Sequence, residues 1–286
     1  VTELAKAQAP SSPWADPDAR AFLLRKLFSL TGVVPVAGFT LFHLWKNATA
    51  LQGRDAFTAM AEEINAIPYV AVFEVAFILL PILLHALFGI LIVLDARYNV
   101  GAYRYSRNWM FTLQRAAGLM ALIFLVYHLY ELRFQKLMGN MQPADFHDTL
   151  CASLSSTMWG VPVIALLYVL GIAAIAFHLA NGLWGFLCSW GITVTRRSQR
   201  ISASLMGILG LAVFALGANT TVYFATGSKL FVPASASGVT VEHCPGSAAR
   251  SDVAPAPVTK DSSKAQEPSE QPTEQPPPAE SAPTNP

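Results

Sequence analysis

The sequence predicts an all-α integral membrane protein, a bundle of five transmembrane helices followed by a disordered C-terminal tail. Three observations predict it. Charged residues make up only 13% of the 286-residue chain, about half the share of an ordinary soluble domain. Five stretches are mostly apolar over about 20 residues, the length a helix needs to cross a hydrocarbon core of roughly 30 Å. Residues 230–286 reverse that composition: they hold 11 of the 19 prolines, and such a segment has too little apolar surface to fold alone. The net charge of +1 offers no basic surplus for neutralising phosphates, so nucleic acid is excluded as a partner. Cys151, Cys188 and Cys244 form no CxxC pair, which argues against a zinc ribbon or an iron–sulfur cluster held within this chain.

The elements follow in order. Residues 1–20 are polar and carry three prolines. They lack the apolar core and small-residue cleavage site of a signal peptide and read as a cytoplasmic segment. Residues 21–229 form the membrane domain. Its first span covers Leu27 to Trp45 without a charge. The second covers Tyr69 to Leu94 and is interrupted only by Glu74. The third covers Trp109 to Tyr130, with Arg115 near its start. The fourth covers Met158 to Trp190, and the fifth covers Ile201 to Thr226 with Gly207, Gly210 and Gly217 for close helix approach. Buried helices of a large soluble protein are the competing reading, and the short polar connectors argue against it.

Lys and Arg set the orientation. Arg20, Arg25 and Lys26 precede span one; Arg97, Arg104 and Arg107 lie between spans two and three; Arg196, Arg197 and Arg200 lie between spans four and five. The opposite loops mix Lys46, Arg54, Arg133 and Lys136 with Asp55, Glu62, Glu63, Asp145 and Asp148. This pattern puts the N-terminus in the cytoplasm and makes 230–286 an external tail. Cys151 and Cys244 then share the oxidising side and are candidates for a disulfide.

Four of the six histidines fall one per span: His43, His85, His128 and His178. Ionisable residues at membrane depth mark functional sites by default. At 1.5 Å rise per residue, His43 lies roughly 27 Å and His128 roughly 28 Å from the inner edge, whereas His85 lies roughly 18 Å and His178 roughly 18–27 Å from it. Two outer and two inner imidazoles fit two stacked hemes, each iron held by histidines from two helices. Filling both axial positions suits electron transfer rather than oxygen chemistry. Gly38, Gly89, Gly118 and Gly182 lie about a turn from the histidines and would admit a macrocycle or serve ordinary helix packing. A single tetrahedral zinc site needs four imidazoles at one depth. A proton relay has only Glu74 to join the histidines.

Several stretches resemble the cytochrome b membrane anchor of succinate:quinone oxidoreductases, in the five-helix diheme class represented by the Bacillus-type succinate:menaquinone enzyme. They are LFSLTGVVPVAGFTLFHLWKN, FEVAFILLPILLHALFGI, SRNWMFTLQRAAGLMALIFLVYHLYELR and IAFHLANGLWGFLCSWGITVTRRSQRIS, covering roughly residues 22–228. The resemblance implies two hemes b, the outer on His43 and His128 and the inner on His85 and His178. It implies partner subunits, a flavoprotein with FAD and an iron–sulfur protein, docked on the inner face of a bacterial cytoplasmic membrane. Electrons would pass from them through the inner and then the outer heme to menaquinone near the outer surface. Arg25, Arg115 and Arg133 are candidates for binding heme propionates, because guanidinium pairs carboxylates in a bidentate way. Asn108, Trp109, Gln199 and Arg200 are candidates for docking or propionate contact, with interfacial anchoring as the alternative.

Glu74 lies 11 residues outward of His85. That places it near the outer heme, as a proton carrier for quinone reduction or as an interfacial carboxylate. In a fumarate-reducing branch of the family a glutamate stands two residues before the fourth-span histidine. Here that position is Ala176, so the proton path linked to that glutamate is not expected. Other classes share part of the pattern: a heme b anchor for a different respiratory dehydrogenase, the same anchor run in the fumarate-reducing direction, and a heme-free transporter or sensor.

Overall fold

Seven helices and their connections make up the part of the chain that the computed structural model describes, residues 16–96 and 98–230. The first 15 residues, Arg97 and residues 231–286 lie outside it, so the expected N-terminal segment falls largely outside the described residues, as do all of the expected tail but Leu230 and the Cys244 half of the expected disulfide. Among the described residues there is no strand, only an isolated bridge between Met158 and Val161.

Five helices are long and apolar enough to cross a membrane: α1 (Pro17–Gln52), α3 (Val70–Leu94), α4 (Ser106–Leu137), α6 (Val163–Ser189) and α7 (Arg196–Thr226). Two shorter ones, α2 (Arg54–Asn65) and α5 (Phe146–Leu154), lie in the connections after α1 and α4. The long helices extend past the apolar windows. α1 begins at Pro17, with the Asp16 side chain accepting from the Asp18 N–H, an arrangement that satisfies a free amide at the helix start. α7 begins with a capping box between Thr195 and Ser198 and ends at Gly227 in the left-handed region. α6 starts five residues later than the hydropathy suggests, because Trp159 and Gly160 take positive φ and Pro162 follows, a combination that turns the chain before the helix begins.

Three of the spans contain a widened π turn: Gly32–Ala37 in α1, Val75–Leu79 in α3 and Leu129–Phe134 in α4. The first encloses Pro35 and the second lies just before Pro81. Proline lacks an amide donor and crowds the carbonyl four residues back, so the regular ladder cannot run through it.

α6 and α7 pack most closely, and small residues make that possible. A Cβ on Gly210 would stand 2.8 Å from Ala180 Cβ, and one on Gly217 would stand 2.7 Å from Ile172 Cγ2. Against α4, a Cβ on Gly171 would meet the Phe124 ring at 2.2 Å. No residue of α3 is buried. The best-buried cluster sits at one end of the bundle, where Phe57 and Met60 of α2 and Leu150, Cys151 and Leu154 of α5 close over Tyr168, Tyr223 and Phe224.

Candidate functional site

The four histidines of the spans meet as two pairs. His43 of α1 and His128 of α4 have ring centres 5.9 Å apart with planes at 76°; His85 of α3 and His178 of α6 are 6.1 Å apart at 88°. His43 is exposed and the other three are half-buried.

The His85–His178 pair is built from two sequence stretches that interlock. The Gln114 side chain of α4 donates to the His178 carbonyl at 3.0 Å, while Nδ1–H of His178 donates to the Gln114 carbonyl at 3.0 Å. Asn181 donates to Gln114 Oε1 at 2.8 Å. Gly118 leaves room for the His178 ring, since a Cβ there would lie 2.9 Å from Cε1. The RNWMFTLQRAAG and HLANGLW stretches are therefore two sides of one clasp. His85 stacks on Phe28 at 4.6 Å and lies over Gly32, where a Cβ would come within 2.5 Å of the ring.

In the His43–His128 pair Nδ1 of His128 stands 3.1 Å from the Tyr168 hydroxyl, and the Asn47 amide lies 3.3 Å from Nε2 of His43. A cavity of about 120 Å³ adjoins this pair, lined by Thr40, His43, Asn47, Tyr168, Thr220 and Phe224 among others. Glu74 of α3 pairs with Arg133 of α4 at 2.5 Å, each side chain a quarter exposed or less.

The remaining candidates are scattered. Arg25 is exposed and borders an open groove of about 270 Å³ with Phe28, Phe88 and Asp95. Arg115 lies over the Phe111 ring at 3.2 Å and donates to the Phe111 carbonyl. Trp109 is exposed at the start of α4. Asn108 donates to the Tyr103 carbonyl, and Gln199 accepts from Arg107 at 3.2 Å. Sequence reasoning missed Gln114, Tyr168 and Glu131 as partners of the histidines. Gln114 lies inside a quoted stretch, and a polar residue within an otherwise apolar span was the signal.

The donor set fits a ring-bound metal. Two imidazoles that share one metal, each nitrogen about 2 Å from it, have ring centres roughly 6 Å apart. Both pairs have that spacing. Among the described residues Nδ1 of His85 is buried with no partner at hydrogen-bonding geometry, and a Cβ at Gly38 or Gly89 would meet nothing within 4 Å. Fixing Nδ1–H of His178 on a carbonyl leaves its other nitrogen free to ligate, the usual outer support of a metal-bound histidine. Among the described residues no group of three or more His, Cys, Asp or Glu side chains could hold a bare ion.

No family model matches the chain, and no solved structure matches it. The succinate dehydrogenase cytochrome b558 subunit of Bacillus subtilis (strain 168) is 38% identical over 205 residues, which span 72% of this chain and 98% of that protein. This chain belongs to the succinate dehydrogenase cytochrome b558 subunit family. Members of that family are membrane anchors of a multisubunit enzyme, and five membrane-length helices in this chain accord with that role.

Proposed function

We propose that the chain is the diheme membrane anchor of a succinate:menaquinone oxidoreductase, binding a flavoprotein and an iron–sulfur subunit at its inner face and carrying electrons from them to menaquinone. The observation that carries this reading is the pair of imidazole pairs, each about 6 Å between ring centres and each drawn from two helices. His85 and His178 hold the inner heme b, and His43 and His128 hold the outer one. A heme with two histidine ligands supplies one-electron chemistry with no open position for oxygen.

The protein's own groups do the rest. Gln114 orients His178 through two hydrogen bonds. Arg25 and Arg115 lie towards the inner end of the bundle and supply cations for propionates. Arg133 is ion-paired with Glu74, and the Glu74 carboxylate is the group that would pass protons to quinone at the outer level. Residues 21–229 form the membrane domain between a cytoplasmic N-terminal segment and an external tail, in a bacterial cytoplasmic membrane.

Redox difference spectra of membranes containing the whole complex test the reading. Two b-type centres are expected. His85→Ala and His178→Ala should each remove one of them, and His43→Ala and His128→Ala the other. A colourless complex, or four variants that all keep both centres, overturns it.

A further inference from the structure

A carboxylate wired to the outer histidine has no counterpart at the inner one among the described residues. Glu131 lies in the π turn that follows His128. Its Oε2 accepts from the Tyr168 hydroxyl at 2.5 Å, and its Oε1 accepts from Tyr127 at 3.2 Å and from Ser153. The three donors come from α4, α5 and α6. The Tyr168 hydroxyl also lies 3.1 Å from Nδ1 of His128, and Tyr168 is buried, with its ring edge-on to Phe124 at 5.0 Å.

Counting protons fixes the direction of this chain. A tyrosine hydroxyl has one hydrogen. With that hydrogen committed to Glu131, the Tyr168 oxygen can only accept from His128, so His128 carries its proton on Nδ1 and keeps the Nε2 lone pair free. A carboxylate behind an imidazole N–H raises the basicity of the ring and fixes its tautomer. At the inner pair the matching Nδ1–H of His178 ends on a neutral backbone carbonyl. We propose that Glu131, acting through Tyr168, is a positioning residue for His128: it orients the imidazole and stabilises the oxidised state of the outer heme over the reduced one. Replacing the network would then favour reduction at the outer centre alone.

The inference rests on the diheme reading, and potentiometric titration of the whole complex separates the two. The outer centre is the one that His43→Ala removes. Tyr168→Phe and Glu131→Gln should each shift the oxidised-to-reduced ratio of that centre about tenfold towards reduced, a rise of about 59 mV for one electron, and leave the inner centre in place. Glu131→Asp should recover part of the shift. If Tyr168→Phe does not assemble, Glu131→Gln alone decides, because it keeps the side-chain volume and removes the charge. An unchanged outer potential in a complex that retains both hemes overturns the inference and leaves the diheme reading standing. Equal shifts at both centres also overturn it, since they report a loosened bundle rather than a histidine-specific link. Absence of both centres from the unmodified complex removes the diheme reading itself, and the inference with it.

Discussion

Gly118 is the smallest feature of the inner site and one of the most constraining. Its hydrogen faces the His178 ring, where a methyl group would stand 2.9 Å from Cε1 and 3.1 Å from Nδ1. The backbone of α4 cannot easily retreat, because Gln114 is tied to His178 by two hydrogen bonds one turn away. The imidazole must therefore move, and overpacking of this kind costs about 1–3 kcal/mol. Gly118→Ala should displace His178 from the Gln114 carbonyl and weaken or abolish the inner b-type signal while sparing the outer one. Gly185→Ala is the matched control, since a Cβ at Gly185 meets nothing within 4 Å and should leave both signals intact. Difference spectra of the two variants check this; an undisturbed inner centre in Gly118→Ala would show that the ring does not depend on that gap.

At the scale of elements, α2 and α5 form a cap that owes its cohesion mainly to buried apolar contact. Phe57 lies edge-on to Phe224 at 5.5 Å and near His147 at 5.8 Å. An ion pair at the rim joins them: Arg54 Nε donates to Asp148 at 2.8 Å and NH2 at 2.5 Å. The Arg54 hydrogen bonds hold the Asp148 carboxyl below its ordinary range. A depressed acid contributes stability that is complete above its unfolded value, about 3.9, and is lost as pH falls through the lower folded value. Both side chains are well exposed, at 51% and 40%, so the pair is worth no more than about 1 kcal/mol. Asp148→Asn should speed amide exchange in α5 at pH 7 and make little difference at a pH below the folded value, where the native pair is also gone. A difference that persists there would assign the effect to packing. Neither cap helix was read from the sequence. Both are short, and their apolar spacings (Phe57, Met60, Ala61; Leu150, Cys151, Leu154) stand beside far stronger signals. The five spans were legible because 20 apolar residues have few alternatives, but their ends were not. α4 runs on through Glu131, Arg133 and Lys136 because Glu131 is satisfied by three hydroxyls, Arg133 by Glu74, and Lys136 by Asn65. Hydropathy registers such charges and not their partners. Helix rise separated His43 and His128 from His85 but left His178 between the two levels, and Gln114, Tyr168 and Glu131 depend on how α4 and α6 are rotated, which residue counting cannot fix.

Across the whole molecule the two ends differ in charge and in construction. The His85–His178 end gathers Arg25, Lys26, Arg107 and the Arg196–Arg200 run. There Lys26 binds the Ser189 carbonyl, Trp190 donates to Ser29, and Trp184 donates to the Gln199 carbonyl beneath the Arg107 guanidinium. The other end carries the cap, the acidic loop residues and the Glu74–Arg133 pair. Under the cytoplasmic assignment of the basic end, electrons enter beside His85 and His178 and leave at the level of Glu74. That outward travel has an energetic meaning. A charge that crosses the full membrane potential gains or loses about 2.3 kcal/mol per 100 mV, and a negative charge moving towards the positive outer face gains it. Succinate is a weak reductant for menaquinone, so under the proposed function the potential would help to drive the reaction forward. Collapsing the potential with an uncoupler in intact cells should slow succinate oxidation by menaquinone. Oxidation by a soluble dye that takes electrons from the partner subunits on the inner face should not change. Equal rates with menaquinone before and after uncoupling would mean that the electrons do not cross the membrane in this direction, and would reverse the proposed placement of the quinone site at the Glu74 end.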